Sequence, residues 1–325
     1  MHATGNIDSI SIRIEDALQT RTVRIGTRGS LLALQQSNWV RDELMRLWPG
    51  LAVELHIIKT TGDKILDVPL AKVGGKGLFV KEIEDALEAG EVDLAVHSMK
   101  DVPAELPEGL VIAAIPCRED PRDVLVARGA RSLDELSREA KVGTSSLRRA
   151  AQLKAIRPDL QVETLRGNLD TRLGKAERGV FDAVILAAAG LHRMGWQGRI
   201  TQYLDPDRFL PAVGQGALGI EARKDDAELV ALLTPLRHSE TTVAVTAERS
   251  FLAELQGGCQ VPIGGHARIS GENVHLDGLI ASVDGVTLLR RNGQAPCTEA
   301  EPLGRRIAQE LLAAGGQTIL DEVYG

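Results

Sequence analysis

Cysteine is scarce: Cys117, Cys259 and Cys297 are the only three in 325 residues, and no two stand in a C-x-x-C spacing. An odd, scattered set builds neither a disulfide framework nor a zinc knuckle, so a reducing cytoplasm is the expected home. Long hydrophobic runs are missing too. The nearest, VILAAAGL at 184–191, falls far short of the ~20 residues of a membrane helix. The first twenty residues lack the apolar stretch of a secretory signal. Positive charge is not in excess either: 38 Lys and Arg against 45 Asp and Glu leave a net charge of -7. Nucleic acids and anionic membranes reward a basic surface, so neither is an expected partner. Gly74-Gly75-Lys76-Gly77 has neither the upstream glycine nor the following Ser/Thr of a P-loop, no strand leads into G-x-G-x-x-G, and H-E-x-x-H is absent. Nucleotide and metal chemistry are disfavoured.

What is present reads as a globular chain, with 43% hydrophobic and 26% charged residues, long enough for roughly two or three domains. The first two-thirds alternate β-branched runs with amphipathic helical patterns. VRIGTR (23–28), VELHIIKT (53–60), DLAVHSM (93–99) and FDAVIL (181–186) read as strands; 30–47 and 79–90 read as helices, the first capped by Ser30. Strands separated by single helices imply parallel pairing with right-handed crossovers, so this part reads as α/β. In the last third, 266–293 alternates polar and apolar residues with turn signals at Gly271-Glu272-Asn273 and Asp284-Gly285, followed by a helical pattern over 301–316. That predicts a small α+β domain with an antiparallel sheet. Between Lys59 and Gly77 lie five glycines or prolines and no sustained period, the mark of a functional loop or of an ordinary solvated one.

Ligands of open α/β sheets bind beyond the carboxyl ends of the strands, and polar residues gather at several such ends. Arg24 and Arg28 lie in and just after the first strand; Ser98, Lys100 and Asp101 follow DLAVH; Thr144, Ser145 and Ser146 open a helix that carries Arg148 and Arg149; Arg166 and Arg172, then Arg193, follow later strands. A helix N-terminus and the arginine fork both suit carboxylates. Any one of these residues alone reads more simply as a cap or a surface charge; it is the recurrence of arginine at successive strand ends that points to a polyanion. Asp101, two residues before Pro103, reads either as a turn former or as a carboxylate that stabilises a cation or moves a proton. His97 reads as a satisfied structural histidine, since no second metal ligand stands at a suitable spacing. Cys259, in LQGGCQVPIGG, sits in a low-bulk turn that holds a thiol open to a bulky partner, although a lone cysteine is more often a small buried hydrophobe.

The stretches RIGTRGSLLAL, PLAKVGGKGLFVKE, DLAVHSMKDVP, REDPRD, VGTSSLRR, LRGNLDTRL, LPAVGQGALGIE and GGCQVPIG, in this order over roughly 22–325, closely resemble the porphobilinogen deaminase (hydroxymethylbilane synthase) family. The resemblance implies two α/β lobes like those of type II periplasmic binding proteins, with mixed, mainly parallel sheets, plus a small third domain. The implied division is a 1–20 extension, domain 1 at 21–116 with 217–235, domain 2 at 117–216, and domain 3 at 236–325. It implies a dipyrromethane cofactor tethered by a thioether to Cys259, and porphobilinogen as substrate. Four units are joined head to tail with loss of ammonia, and water releases hydroxymethylbilane. Asp101 would protonate the leaving amine and stabilise the cationic methylene-pyrrole. Arg24, Arg28, Ser30, Ser98, Lys100, Thr144, Ser145, Ser146, Arg148, Arg149, Arg166, Gly167, Asn168, Arg172, Arg193 and Gln215 would bind substrate or cofactor, with Lys72, Lys76 and Phe79 on a mobile lid at 59–77. A monomer and hand-over of product to the next enzyme of the pathway are further expectations. Gln256 stands where the resemblance leads one to expect Glu. The competing reading is a non-catalytic polycarboxylate-binding protein of the periplasmic-binding class, which needs neither the GGC turn nor a third domain.

Overall fold

The computed structural model describes residues 21–64, 80–257 and 261–324. The chain opens with β1 (Thr22–Thr27), α1 (Leu31–Leu47) and β2 (Ala52–Ile57), then α2 (Lys81–Glu88), β3 (Leu94–Ser98) and β4 (Leu110–Ala114). It crosses to β5 (Asp123–Ala127), β6 (Lys141–Gly143), α3 (Leu147–Ile156), β7 (Gln161–Glu163), α4 (Leu169–Glu177), β8 (Ala183–Ala187), α5 (Ala188–Arg193) and β9 (Gln202–Tyr203). It returns as β10 (Leu218–Arg223), followed by α6 (Ala227–Leu233) and α7 (Ser239–Glu254). The last part is β11 (Ile263–Ser270), β12 (Asn273–Ala281), β13 (Leu288–Pro296), α8 (Ala300–Leu311) and α9 (Gln317–Tyr324).

These strands form three sheets, ordered β2-β1-β3-β10-β4, β7-β6-β8-β5-β9 and β11-β12-β13. The first two have the same plan. β1 and β6 each pair in parallel with their neighbours on both sides, and one strand that arrives from the other lobe, β10 or β5, is inserted antiparallel. The third sheet is antiparallel throughout. The expected mixed α/β lobes, of the type II periplasmic-binding kind, and the antiparallel C-terminal sheet are thus all present.

The inner strands are rich in buried apolar residues on both sides because helices cover both faces. On one face of the first sheet Val23, Ile25, Leu94 and Ile220 pack against Val40 and Leu44 of α1; on the other, Ala95 meets Ile83 and Leu87 of α2. The second sheet is sandwiched in the same way, with Leu125, Val142 and Ile185 on one side and Val124, Val184 and Leu186 on the other. The third domain closes on Phe251 of α7, Leu276 of β12 and Ile307 of α8. One expectation needs a boundary. The helical pattern over 301–316 breaks at Gly315, whose φ of 106° lies in the left-handed region, and α9 restarts beyond it.

The two crossovers between the lobes are bonded to each other. Glu119 N–H donates to the Gly216 carbonyl at 3.1 Å, and Arg118 Nε donates to the Gln215 carbonyl at 2.8 Å. Gly216 has a φ of 88°, and a side chain there would run into the Glu119 carbonyl. The buried carboxylate of Glu248, on α7, joins both crossovers to the third domain. It accepts from Arg118 Nη1 (2.6 Å), Gly214 N–H (2.6 Å) and Ala267 N–H (2.7 Å).

Candidate active site

β3 ends in a tight turn, Met99–Asp101, that carries Lys100 and Asp101 out of the first sheet. Its base is fixed by Met99 N–H donating to the Ala217 carbonyl at 3.0 Å and by the Ser98 hydroxyl accepting from Gln36 Nε2 at 3.0 Å. His97 is buried, its Nε2 2.8 Å from Glu221 Oε2 of β10; it is the satisfied structural histidine the sequence suggests. Burial is the main influence on the Lys100 ammonium and pushes it down to about 8, with Asp101 opposing and Arg149 and Arg148 reinforcing.

The second lobe supplies most of the remaining cations. Ser146 caps α3, its hydroxyl accepting from Arg149 N–H at 3.4 Å, while Thr144 Oγ1 accepts from Ser146 N–H at 3.2 Å. The Ser145 hydroxyl donates to the Leu165 carbonyl. Arg148 and Arg149 are both buried, and both are held by the fully buried Asp123: Arg148 Nη1 lies 2.7 Å from Oδ2, and Arg149 Nη2 lies 2.7 Å from Oδ1. Burial alone would raise the Asp123 carboxyl, but the two guanidiniums outweigh it and hold the group at about 2. One carboxylate between two guanidiniums leaves a net positive charge inside the protein, and Arg148 Nε is buried without a partner. Gln215 braces the same carboxylate, donating from Nε2 to Asp123 Oδ1 at 3.0 Å and accepting at Oε1 from Arg149 Nη2 at 3.4 Å.

Gly167, with a φ of 110°, and Asn168 open α4. Arg172 Nε donates to the Gly167 carbonyl at 2.7 Å. Burial pushes the Arg172 guanidinium down to about 10, with Arg149 and Arg166 adding to this and Asp101 opposing. Arg172 and Asp101 come from different lobes, so their mutual influence brings the acid of one lobe to the cations of the other. Arg193, at the end of α5, donates from Nη2 to the Gly216 carbonyl at 2.7 Å, and burial lowers it to about 10 against the attraction of Glu119. All these arginines remain charged at neutral pH. They are cations whose burial is incompletely compensated, as a ligand bearing several carboxylates requires.

Arg24 lies in the first half of β1, three residues before the strand's end, and faces Asp93. Its Nε and Nη2 donate to Asp93 at 3.0 and 2.9 Å, and Nη2 also donates to the Gly90 carbonyl. That ion pair and the β1–β3 loop take up its fork. Ser30 is the cap of α1, accepting from Ala33 N–H at 3.3 Å, and Arg28 follows β1 close to that cap. Lys72, Lys76, Phe79 and Cys259 lie outside the described residues. Up to the cofactor turn the path is clear. α7 ends at Glu254, Gln256 takes the left-handed conformation (φ 50°), and Gly257 N–H donates back to the Leu252 carbonyl at 3.1 Å. This is a Schellman closure, in which a non-glycine residue accepts the left-handed strain. Sequence reasoning missed Asp123, Gln36 and Glu248. An acid heading the otherwise apolar strand DVLVA was a usable signal for Asp123.

No cluster of metal-ligating side chains occurs among the described residues, and none of their helices is long and apolar enough to cross a membrane. Comparison with known proteins agrees with the geometry. The profile "Porphobilinogen deaminase, dipyromethane cofactor binding domain" matches residues 23–231, and "Porphobilinogen deaminase, C-terminal domain" matches 242–313, the stretch that includes Cys259. A porphobilinogen deaminase of Syntrophobacter fumaroxidans is 61% identical over 94% of this chain and 98% of its own. That of Geobacter metallireducens is 54% identical over 94% and 95%. Among solved structures, the BvgS periplasmic VFT2 domain of Bordetella pertussis has a TM-score of 0.42 at 18% identity, over 70% of this chain and 89% of that one. Profile, identity and coverage together place the chain in the porphobilinogen deaminase family.

Proposed function

We propose that Asp101 is the single carboxylate at the reacting centre of this family's reaction, the head-to-tail condensation of four porphobilinogen molecules with release of ammonia and hydrolysis to hydroxymethylbilane. Each porphobilinogen carries two carboxylates, so the growing product gathers negative charge that only fixed cations can hold. Loss of ammonia from an aminomethyl pyrrole leaves a cationic methylene, which a carboxylate in a low-dielectric site stabilises strongly. The same group can hand a proton to the leaving amine. The observation that carries the reading is that Asp101 is the acid opposing the burial of both Lys100, its neighbour on the turn, and Arg172 of the second lobe.

The dipyrromethane cofactor fits the residues present, because the unpartnered Arg148 Nε and the under-compensated cations suit a group bearing several carboxylates. Tethered by a thioether to Cys259, it supplies the nucleophilic pyrrole to which the first substrate is joined. Lys100, Arg172 and Arg193 orient carboxylates, and the α3 N-terminus with Thr144 and Ser146 offers N–H groups to another. We assign residues 21–116 with 217–235, 117–216 and 236–325 as three domains, and the chain as a cytoplasmic monomer that passes its product to the next enzyme. A bare polycarboxylate-binding protein accounts for the arginines but not for a cysteine turn on a third domain.

The test is turnover and intact mass together. Asp101→Asn should fold, carry the mass of two linked pyrroles, and lose roughly 10²- to 10⁴-fold in kcat. Loaded Asp101→Asn with near-normal turnover would remove the assignment, and an unmodified mass in active wild-type enzyme would remove the cofactor from Cys259.

A further inference from the structure

We propose that Arg249 is a positioning residue for Asp101, fixing the turn that presents the carboxylate to the helix whose chain runs on into the cofactor cysteine. The inference rests on the reading of Asp101 given above and adds the part that holds it.

After Asp101 the chain leaves the sheet. Val102, Pro103 and Ala104 lie outside every strand, so their carbonyls take donors from elsewhere. Arg249 provides them. From α7 its Nη2 donates to the Pro103 carbonyl at 2.8 Å and the Ala104 carbonyl at 3.0 Å, and its Nη1 to the Val102 carbonyl at 3.4 Å. A planar fork can reach three successive carbonyls at once; a lysine ammonium cannot do so from one place.

The other end of the segment is held by a buried hydrogen bond. His97, four residues before Asp101, meets the fully buried Glu221 at 2.8 Å. Glu221 is also the acid whose attraction offsets the burial of Arg249. The stretch 97–104 is therefore held before Asp101 by the His97–Glu221 pair and after it by the Arg249 fork. The rear grip comes from the third domain: Arg249 stands next to Glu248, which holds both lobe crossovers, and α7 ends five residues before Cys259. The acid and the tether are thus referred to one helix.

If Arg249 only docked the third domain, its loss would lower stability and leave the chemistry of loaded enzyme intact. If it positions Asp101, a displacement of about 1 Å is enough to cost as much as 10²-fold in rate. The experiment uses full-length, cofactor-loaded Arg249→Leu and Arg249→Lys, with loading checked by intact mass. In Arg249→Leu, kcat per loaded enzyme should fall by roughly ten- to a hundredfold with KM within about twofold. Arg249→Lys should fall less and keeps the test open if the leucine variant does not fold. Combined with Asp101→Asn, either substitution should add little further loss, because the group it positions is already gone. Wild-type kcat in the loaded variants, or the same fold-loss with and without Asp101, overturns the proposal. An active Asp101→Asn would instead overturn the role of Asp101, so the two failures are distinct.

Discussion

The two lobes are built on one strand order, yet they load the carboxyl ends of their strands differently. In the first, β1 leads to Arg28 and a serine-capped α1, and β3 ends in the turn with Lys100 and Asp101. In the second, β6 leads to Thr144 and a serine-capped α3, and β8 runs directly into α5 and Arg193. The capping serine is repeated; the acid is not. The handling of arginine differs too. Asp93 in the first lobe gathers Arg21, Arg24 and Arg223, with side chains 22%, 35% and 21% exposed. Asp123 in the second holds Arg148 and Arg149 at 4% and 7%. The first is an ion-pair cluster at the lobe's margin that steadies β1 and β10. The second is sealed, and its one carboxylate leaves the charge of two guanidiniums only partly balanced. A shared topology therefore fixes where side chains can emerge, while burial separates cations that reach water from cations balanced only by the fold.

The comparison can be broken most forcibly at the two aspartates. Asp123→Asn leaves two buried guanidiniums without their counter-charge and should cost about 3–5 kcal/mol. Asp93→Asn, whose arginines reach water, should cost less than half as much; equal losses in denaturant titrations would mean the two clusters are alike. Lys100 gives the next largest effect. Its folded pKa, about 8, lies below its ordinary 10.5, so the charged form is penalised by folding. The penalty is full below pH 8 and is relieved as pH rises from 8 towards 10.5. Substrate carboxylates need the opposite, the charged form. kcat/KM should therefore fall above pH 8, approaching about tenfold per pH unit, and Lys100→Arg should remove that fall. A profile unchanged in Lys100→Arg would place the alkaline limb on another group. The smallest effect separates the two caps. Ser30→Ala and Ser146→Ala should each cost about 1 kcal/mol, but only the second, among the arginines, should raise KM for porphobilinogen. A rise in both would mean that the lobes share the ligand evenly.

Much of this was legible in the sequence wherever the cause was local. Ser30 and Ser146 precede apolar-periodic stretches, and each caps the expected helix. The alternation in 266–293 became the antiparallel β11–β13 sheet. Long-range partners were not legible. Arg24 reads like a strand-end arginine until the β1–β3 pairing places Asp93 beside it, 69 residues on. Arg249 sits in an unremarkable helical stretch, and its carbonyl partners lie about 145 residues earlier. Spacing along the chain carries no trace of such contacts. The family resemblance, by contrast, singled out Asp101 and Cys259, which spacing alone had left weaker than the arginines around them.

The insertion of β10 has a consequence for the order in which the molecule can be assembled. All five strands of the second lobe have emerged by Tyr203, so that lobe can close while the chain is still being made. The first lobe cannot, because β10, which separates β3 from β4, is synthesised only at Leu218–Arg223. Until then the strand that ends in Asp101 has a partner on one side only. The lobe that carries Arg148, Arg149 and Arg172 is thus complete first, the lobe that carries Asp101 second, and the domain whose sequence includes Cys259 last.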